Sequence, residues 1–247
     1  MIINTDGLVI REQPTGERDR LVTVLTREIG VIRAFVNGAR NPKNKNAAAT
    51  GLLCYSHFSI DKTSKGVYTI REATAKEVFF TLRSDIVRLS LAQYFAELAF
   101  ELSPREENSE EFLRLVLNAV YFISNSKKPL GIIKAATELR LLTLGGYMPS
   151  LIACDSCGTY ETQKMYFSTY SGRIWCENCV PDENTVTVSS GIIAAMRHIC
   201  FSEADKVFSF NLSKDGLLAL QAVSEKFLKS VTMRNYKTLD FYKEMTE

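Results

Sequence analysis

Short runs of apolar residues alternate with polar positions through the first 75 residues, which is the pattern of half-buried β-strands. Gly30 and the segment 63–66 (TSKG) separate neighbouring runs, as hairpin turns do. The sequence predicts five strands, within GLVI (7–10), LVTVLT (21–26), VIRAFV (31–36), HFSIDK (57–62) and VYTIREA (67–73). Five short strands predict a small barrel, and an OB-fold is favoured because it closes most of its sheet edges.

After residue 80 the apolar residues recur at helical spacing, which gives the chain an α+β fold class. Helices are predicted over 84–102, 109–124, 129–146, 190–201 and 214–231. The first is apolar around most of its circumference and is expected to be central. In the second, Ser109 is the expected N-cap, with Glu110 and Glu111 in the first turn. Its apolar face comprises Phe112, Leu115, Val116, Ala119, Val120 and Ile123.

Composition is that of a protein with two modest cores, and the charge differs between the two ends of the chain. The 247 residues can bury two modest cores. No apolar run approaches the roughly 18 residues of a membrane span, and the N-terminal segment lacks signal-peptide features. We therefore expect a cytoplasmic protein with no membrane partner and with reduced or metal-bound cysteines. Residues 1–80 carry 12 Lys and Arg against 8 Asp and Glu, whereas the remainder carries 18 against 20, so the front is more basic.

Two Cys-x-x-Cys pairs, separated by 18 residues, are the clearest chemical motif; they comprise Cys154, Cys157, Cys176 and Cys179. A thioredoxin-type motif needs one such pair at a helix N-terminus, and a catalytic zinc needs an open coordination position. Two pairs flanking a predicted hairpin around Ser171 and Gly172 instead favour a structural Zn²⁺ with four thiolate ligands. The alternative is a vestigial or oxidised set of cysteines without metal. From Cys154 to Cys179 three acidic residues outnumber two basic ones, which argues against phosphate binding there.

A second candidate site is the segment 37–51, predicted to be a flexible, Asn-rich loop without an apolar anchor between the third and fourth strands. Cations on such a loop beside a barrel suit phosphate groups, although an ordinary solvated loop is an equal alternative. The candidate DNA-binding residues are Arg27, Arg33, Arg40, Lys43 and Lys45. The aromatic residues of the strands are more simply core than base-stacking platforms.

No catalytic constellation is evident in the sequence. Glycine-rich phosphate-binding loops are absent, and neither His57 nor His198 has an adjacent nucleophile. Cys54 and Cys200 are flanked by apolar residues and are expected to be buried thiols. The residues alone therefore favour a nucleic-acid-binding protein that is not an enzyme, with a metal-stabilised helical part.

Four segments together resemble the RecO family of bacterial recombination mediators. They are TGERDRLVTVLTREIGVIRAFVNGAR (15–40), TELRLLTLGGYMPSLIACDSCG (137–158), YSGRIWCENC (170–179) and RNYKTLDFY (234–242). The resemblance spreads over nearly the whole chain in the expected order. Gly38, Ala39, Arg40 and the four cysteines match the family pattern, whereas Asn37 and Asn41 stand where the family often has a cation.

The resemblance implies an OB-fold DNA-binding domain over residues 1–80 and a helical domain over 81–247, with a zinc-ribbon insert at about 150–182. It implies binding to single-stranded and double-stranded DNA, annealing of complementary strands, and a nucleoid-associated location. It also implies loading of RecA, together with RecR, onto DNA coated by single-strand-binding protein. A zinc-ribbon adaptor that binds only proteins is the alternative from another functional class.

Overall fold

The computed structural model describes residues 1–125, 128–179 and 185–246 and confirms the α+β fold class. The C-terminal end of the expected zinc-ribbon insert, residues 180–182, lies outside the described residues. The described strands are β1 (Ile2–Thr15), β2 (Asp19–Thr26), β3 (Val31–Val36), β4 (Cys54–Lys62), β5 (Tyr68–Val78), β6 (Lys164–Ser168), β7 (Ile174–Cys176) and β8 (Thr185–Ser189). The described α-helices are α1 (Ile86–Leu102), α2 (Glu110–Asn125), α3 (Leu130–Leu144), α4 (Ser190–Phe201), α5 (Lys214–Thr232) and α6 (Lys237–Glu244).

The first five strands form a closed barrel in the order β1-β2-β3-β5-β4, the five-stranded closure expected of an OB-fold. Neighbouring strands are antiparallel except β3 and β5, which pair in parallel. Alternate side chains point inwards, as the sequence pattern predicts, because strand side chains have a period of two. The barrel core contains Val9, Val22, Val24, Ile32, Ala34, Val36, Ala39, Phe58, Ile60, Tyr68 and Ile70.

Both predicted hairpin turns are confirmed. Gly30 adopts φ +67° between β2 and β3, where its carbonyl accepts a hydrogen bond from the Thr26 amide at 3.0 Å. A side chain at Gly30 would collide with the backbone oxygen of Pro104, which lies 2.3 Å from an ideal Cβ position. Glycine is therefore required there by both conformation and space.

Residues 37–53 form the predicted connection between β3 and β4 without strand or helix, but the expected absence of an apolar anchor is wrong. Ala39 packs in the barrel core, and Ala49 and Leu53 are also buried. The buried side-chain amide of Asn46 donates to the Arg71 carbonyl at 3.0 Å, and its oxygen accepts from the Ala73 amide at 3.0 Å. The loop is thus attached to β5 through a side chain that completes the strand's backbone hydrogen bonds.

Described residues of 1–126 and 236–247 form one compact unit, which holds the barrel together with α1, α2 and α6. Helix α1 buries residues around much of its surface, and the six apolar residues predicted on one face of α2 are all buried. The Ser109 hydroxyl does not cap α2 as expected, because it donates to the Thr26 carbonyl at 2.5 Å. The Asn108 side chain instead accepts from the Glu110 amide in the first turn. The domain boundary expected at residue 80 stays a prediction.

Described residues of 127–235 form the second compact unit, which contains α3, α4, α5 and the sheet β7-β6-β8. The predicted hairpin around Ser171 and Gly172 is confirmed as β6 and β7, and Gly172 adopts φ +69° in its turn. Strand β8, which pairs with β6, and helix α6 in the first unit were not predicted. No helix among the described residues is both long and apolar enough to cross a bilayer.

Candidate nucleic-acid interface and metal centre

The β1–β2 turn and the loop 37–53 place cations side by side at one end of the barrel. The Arg40 amide donates to the Arg18 carbonyl at 3.0 Å, and Arg40 Nη1 donates to the Gly16 carbonyl at 2.9 Å. Asn41 Oδ1 accepts from the Lys43 amide at 3.0 Å, which shapes the turn between these two cations. Arg18, Arg40 and Lys43 together line one shallow hollow, with Glu17 as its carboxylate. The structure thus brings Arg40 and Lys43 together.

Lys45 and Arg33 face other surroundings on the same unit. Lys45 Nζ forms an exposed ion pair with Glu72 of β5 at 2.5 Å, so phosphate binding by Lys45 requires an exchange of partners. Arg33 projects from the outer face of β3, next to the partly exposed Phe35. Within the described part of the chain, the Arg33 side chain forms no ion pair, which leaves its charge available to solvent or ligand.

Arg27 lies beyond the other end of β2, apart from the loop. Its guanidinium lies 3.5 Å from Asp6 Oδ2 and 3.9 Å from Glu110 Oε1. Asp6 also pairs with Lys76 at 2.6 Å and with His57 at 2.8 Å, so Arg27 belongs to a mixed charge cluster. The structure therefore separates Arg27 from Arg40 and Lys43, and its contact with DNA stays a prediction.

The sequence reading missed Arg18 and Arg20, which flank the loop cations. Arg20 Nη1 donates to the Ala47 carbonyl at 3.1 Å and lies 3.4 Å from Glu12 Oε2. The signal was present as the alternating charges of GERDR (16–20), which stand between the first and second predicted strands. Their place beside the loop depends on long-range pairing of strands, which the local pattern does not give.

The four motif cysteines form one cluster in the second unit. Their sulfur atoms all lie within 4.8 Å of one another, although the two pairs are separated by 18 residues in sequence. The Cys154 carbonyl accepts from the Gly158 amide at 3.0 Å, and the Cys176 carbonyl accepts from the Cys179 amide at 3.1 Å, so each pair sits on a tight turn. Gly158 adopts φ +72°, which suits the first turn. Four soft donors at this separation fit a tetrahedral metal ion such as Zn²⁺.

Hydrogen bonds within the cluster make the four thiols differ in acidity. Hydrogen bonds from Thr159 lower the pKa of the Cys157 thiol to about 6. Hydrogen bonding with Cys157 and Cys176 raises the pKa of Cys179 to about 12. Four thiolates cannot be charged together at this distance without a neutralising cation, and a metal ion supplies that charge.

The surroundings of the cysteine cluster leave little free positive charge. Arg173 is paired with Asp155 at 2.9 Å, and Arg197 is paired with Glu161 at 3.0 Å. These pairs agree with the expectation that the cluster is not a phosphate-binding surface.

The two histidines and the two remaining cysteines are either buried or hydrogen-bonded, as residues with a structural role are. Cys54 and Cys200 are buried, as expected, and burial raises the pKa of both thiols. His57 is paired with Asp6, and His198 Nε2 lies 2.8 Å from the Lys206 carbonyl oxygen. No nucleophile is paired with a base at either histidine in the described residues.

Fold and site together define a class: a protein with an N-terminal barrel bearing a cationic loop, followed by a largely helical part with a four-cysteine cluster that could hold a metal ion. Two family models match this chain, Recombination protein O N terminal over residues 1–79 and Recombination protein O C terminal over residues 83–240. The chain belongs to the RecO family.

Relatives named DNA repair protein RecO match over almost their full length. The protein from Acetivibrio thermocellus is 34% identical over 245 residues, covering 98% of this chain and 97% of the relative. That from Symbiobacterium thermophilum is 29% identical, with 97% and 96% coverage. That from Caldicellulosiruptor bescii is 26% identical, with 98% coverage of both chains. Membership of the family supports a role in DNA repair and recombination.

Proposed function

We propose that this chain binds single-stranded and double-stranded DNA through the barrel unit, with Arg40 and Lys43 as the central contacts. The observation that carries the proposal is their shared hollow with Arg18, in a chain of the RecO family. Lys45, Arg33 and Arg27 are proposed as further phosphate contacts. Cations beside a barrel follow the phosphate backbone without reading base edges, so binding is expected to be independent of sequence.

Annealing follows from the same electrostatics. Two complementary strands repel one another through their phosphates, and cations that neutralise those phosphates lower the repulsion. We propose that the chain anneals strands and, together with RecR, helps to load RecA onto DNA coated by single-strand-binding protein. These partners come from the family resemblance. The chain itself is proposed to act without catalysis, because among the described residues neither histidine is paired with a nucleophile.

A salt titration tests the DNA-binding proposal. The variant R40A/K43A/K45A is expected to flatten the slope of log affinity against log salt for single-stranded DNA by about 2, because each cation on a single strand accounts for roughly 0.7. A control with the same loss of charge is K65A/R114A/K226A, which removes three exposed cations outside the loop. An unchanged slope in the loop variant, or an equal change in both variants, would contradict the proposed site.

We propose that the cysteine cluster holds a structural Zn²⁺ through Cys154, Cys157, Cys176 and Cys179. Support comes from the donor set and the separation of the sulfurs. A stoichiometric metal assay tests the proposed zinc. A mobility shift on single-stranded DNA then distinguishes a DNA-binding protein from a zinc-bearing adaptor, which would retain zinc but bind no DNA.

A further inference from the structure

A cleft of about 540 Å³ lies beside the cationic loop, and of the site residues predicted from the sequence only Arg40 lines it. We call it the Arg83 cleft. All of it belongs to the first compact unit. Its polar lining consists of Glu12, Arg20, Arg40, Arg83 and Gln93. Its volume is in the range of roughly 300–1,000 Å³ that small-molecule sites occupy.

The charge of the Arg83 cleft favours an anion. Three arginines face one carboxylate, which gives the lining a net charge of +2. Glu12 lies 3.4 Å from Arg20 and accepts from the Leu52 amide at 3.0 Å, so this carboxylate is already engaged. Arg83 forms no ion pair with any described residue. Its guanidinium lies 5.6 Å from the ring centre of the exposed Phe80, which helps to hold it in place.

Arg83 lies close to Gly51 of the loop. An ideal Cβ on Gly51 would lie 4.0 Å from a guanidinium nitrogen of Arg83 and 4.0 Å from Glu12 Oε2. Both charged groups therefore lie close to the same point of the loop, and Arg83 borders the loop as well as the cleft. A phosphate that binds the guanidinium of Arg83 displaces no carboxylate from it, because the nearby Glu12 is paired with Arg20.

The inner wall of the cleft is apolar. Leu53, Phe79 and Leu82 contribute to it and are largely buried. The amide of Gln93 faces the same cleft from α1 and has no hydrogen-bond partner among the described side chains and backbone groups. An apolar wall with one free amide and a cationic rim suits a planar, polar-edged ring that carries a phosphate.

Arg40 connects this cleft to the proposed DNA-binding surface. It lines both the Arg83 cleft and the shallow hollow that contains Arg18 and Lys43. A nucleic-acid strand that follows the loop cations past Arg40 therefore arrives at the cleft. This continuity favours a segment of the same DNA strand as the ligand, rather than an unrelated small molecule.

We propose that the Arg83 cleft receives an unpaired base of single-stranded DNA, with its phosphate bound by Arg40 and Arg83. The inference rests on the proposed DNA binding and deepens it. A base in duplex DNA is stacked and paired, so it cannot enter without first being unpaired. The cleft thus gives the chain a preference for single strands, whereas the loop cations bind the phosphates of either form.

Two variants test the cleft in the full-length protein. Arg83→Gln removes the free charge at an exposed position, and Ala48→Leu fills the cleft from an exposed lining residue without changing charge. Each is expected to weaken binding of oligothymidine by about tenfold, because a charged hydrogen bond or an inserted base contributes on that order. Duplex affinity should change less than twofold. Arg114→Gln, an exposed arginine outside the cleft, is the matched control and should leave both affinities unchanged.

An oligonucleotide of abasic sites with the same length as the oligothymidine isolates the base. Wild type is expected to bind it about tenfold more weakly, and Ala48→Leu should erase that difference. Equal penalties for the abasic strand in both proteins, or unchanged binding of oligothymidine by both cleft variants, would overturn the inference. The proposed DNA binding is judged separately, because R40A/K43A/K45A would still flatten the salt slope if only the cleft were wrong.

Discussion

At the scale of single residues, Asp6 shows how the barrel uses one carboxylate to hold several cations. Its side chain is 11% exposed, accepts hydrogen bonds from Lys76 and His57, and lies 3.5 Å from Arg27. Burial opposes its ionisation, but the hydrogen bonds from Lys76 and His57 and the nearby positive charges outweigh burial. They hold the pKa of Asp6 below its usual 3.8. A carboxyl group with a lowered pKa stabilises the fold above its unfolded value and loses that contribution as the pH falls through the folded value.

Replacing Asp6 by Asn should therefore lower the free energy of unfolding by about 2 kcal/mol at neutral pH, because charged hydrogen bonds are lost among cations. Urea unfolding across a pH series measures this. The deficit relative to wild type should begin to shrink as the pH falls below 3.8, where the Asp6 carboxyl of the unfolded chain becomes protonated, and should disappear below the lower pKa of the folded state. Asp61→Asn, which removes a more exposed partner of Arg71, is the control and should change the free energy of unfolding much less. A deficit that is constant with pH would show that charge is not responsible.

The sequence shows which residues are charged or apolar, but it does not show which residues they contact in the fold. Arg27 is recognisable as a basic residue near the front of the chain, but Asp6 reaches it only after β1 and β2 pair. Ala39 was expected to lie on a loop without an apolar anchor, and the closed barrel instead buries it. Both differences come from long-range strand pairing, whose partners a local pattern does not specify.

At the scale of elements, α3 and α5 enclose a buried charged group that their apolar pattern conceals. Lys134 is 2% exposed, with its ammonium 2.7 Å from Glu138 Oε1 and 3.3 Å from Glu225 Oε2. Ser224 of α5 donates to Glu138 at 2.6 Å. Burial opposes the charge of Lys134, yet the two carboxylates raise its pKa above the ordinary value. The ion pair therefore persists inside the helical unit, where an unpaired charge would be costly.

Lys134→Met should destabilise the second unit by about 3–5 kcal/mol, because it leaves Glu138 without its ammonium partner in a buried site. The double variant Lys134→Met/Glu138→Leu should recover most of that loss, since apolar residues of similar volume can replace a buried ion pair. Thermal unfolding of Lys134→Met, Glu138→Leu and the double variant completes a double-mutant cycle. Additive losses would contradict the proposed coupling of the two charges.

Long elements with a strong period were predictable, and short ones depended on tertiary packing. The apolar face of α2 and the five barrel strands follow directly from spacing. Helix α6 has only eight residues and buries just Leu239 and Tyr242, so it is too short for its period to be recognised in the sequence. Strand β8 carries β-branched residues but becomes recognisable through its pairing with β6.

At the scale of the whole molecule, the cysteine spacing was the most informative part of the candidate site, because two short turns fix most of its geometry locally. The DNA-binding set was less predictable, since its members lie on separate elements. The structure brings together Arg40 and Lys43 but separates them from Arg27. Chemistry that is local in sequence is therefore easier to predict here than a surface assembled from several strands.

The cysteine module and the cationic loop lie in different compact units, which predicts separate consequences of metal removal. Chelation should destabilise the second unit, because structural zinc contributes on the order of 10–16 kcal/mol in zinc-finger peptides. Trp175 is the single tryptophan and is buried in β7 beside Cys176, so its fluorescence reports on the module. We expect a red shift of its emission on chelation and reversal on adding Zn²⁺.

Single-stranded DNA binding, measured by anisotropy on the same chelated sample, should retain its salt slope, because the proposed phosphate contacts lie on the barrel unit. Cys157→Ser removes one proposed metal ligand without a chelator. It should likewise shift the Trp175 emission and leave the salt slope of DNA binding unchanged. Loss of DNA binding without any change in Trp175 emission would contradict the structural assignment of the metal, since the cysteine cluster would then contribute to the DNA site rather than to the stability of its own unit.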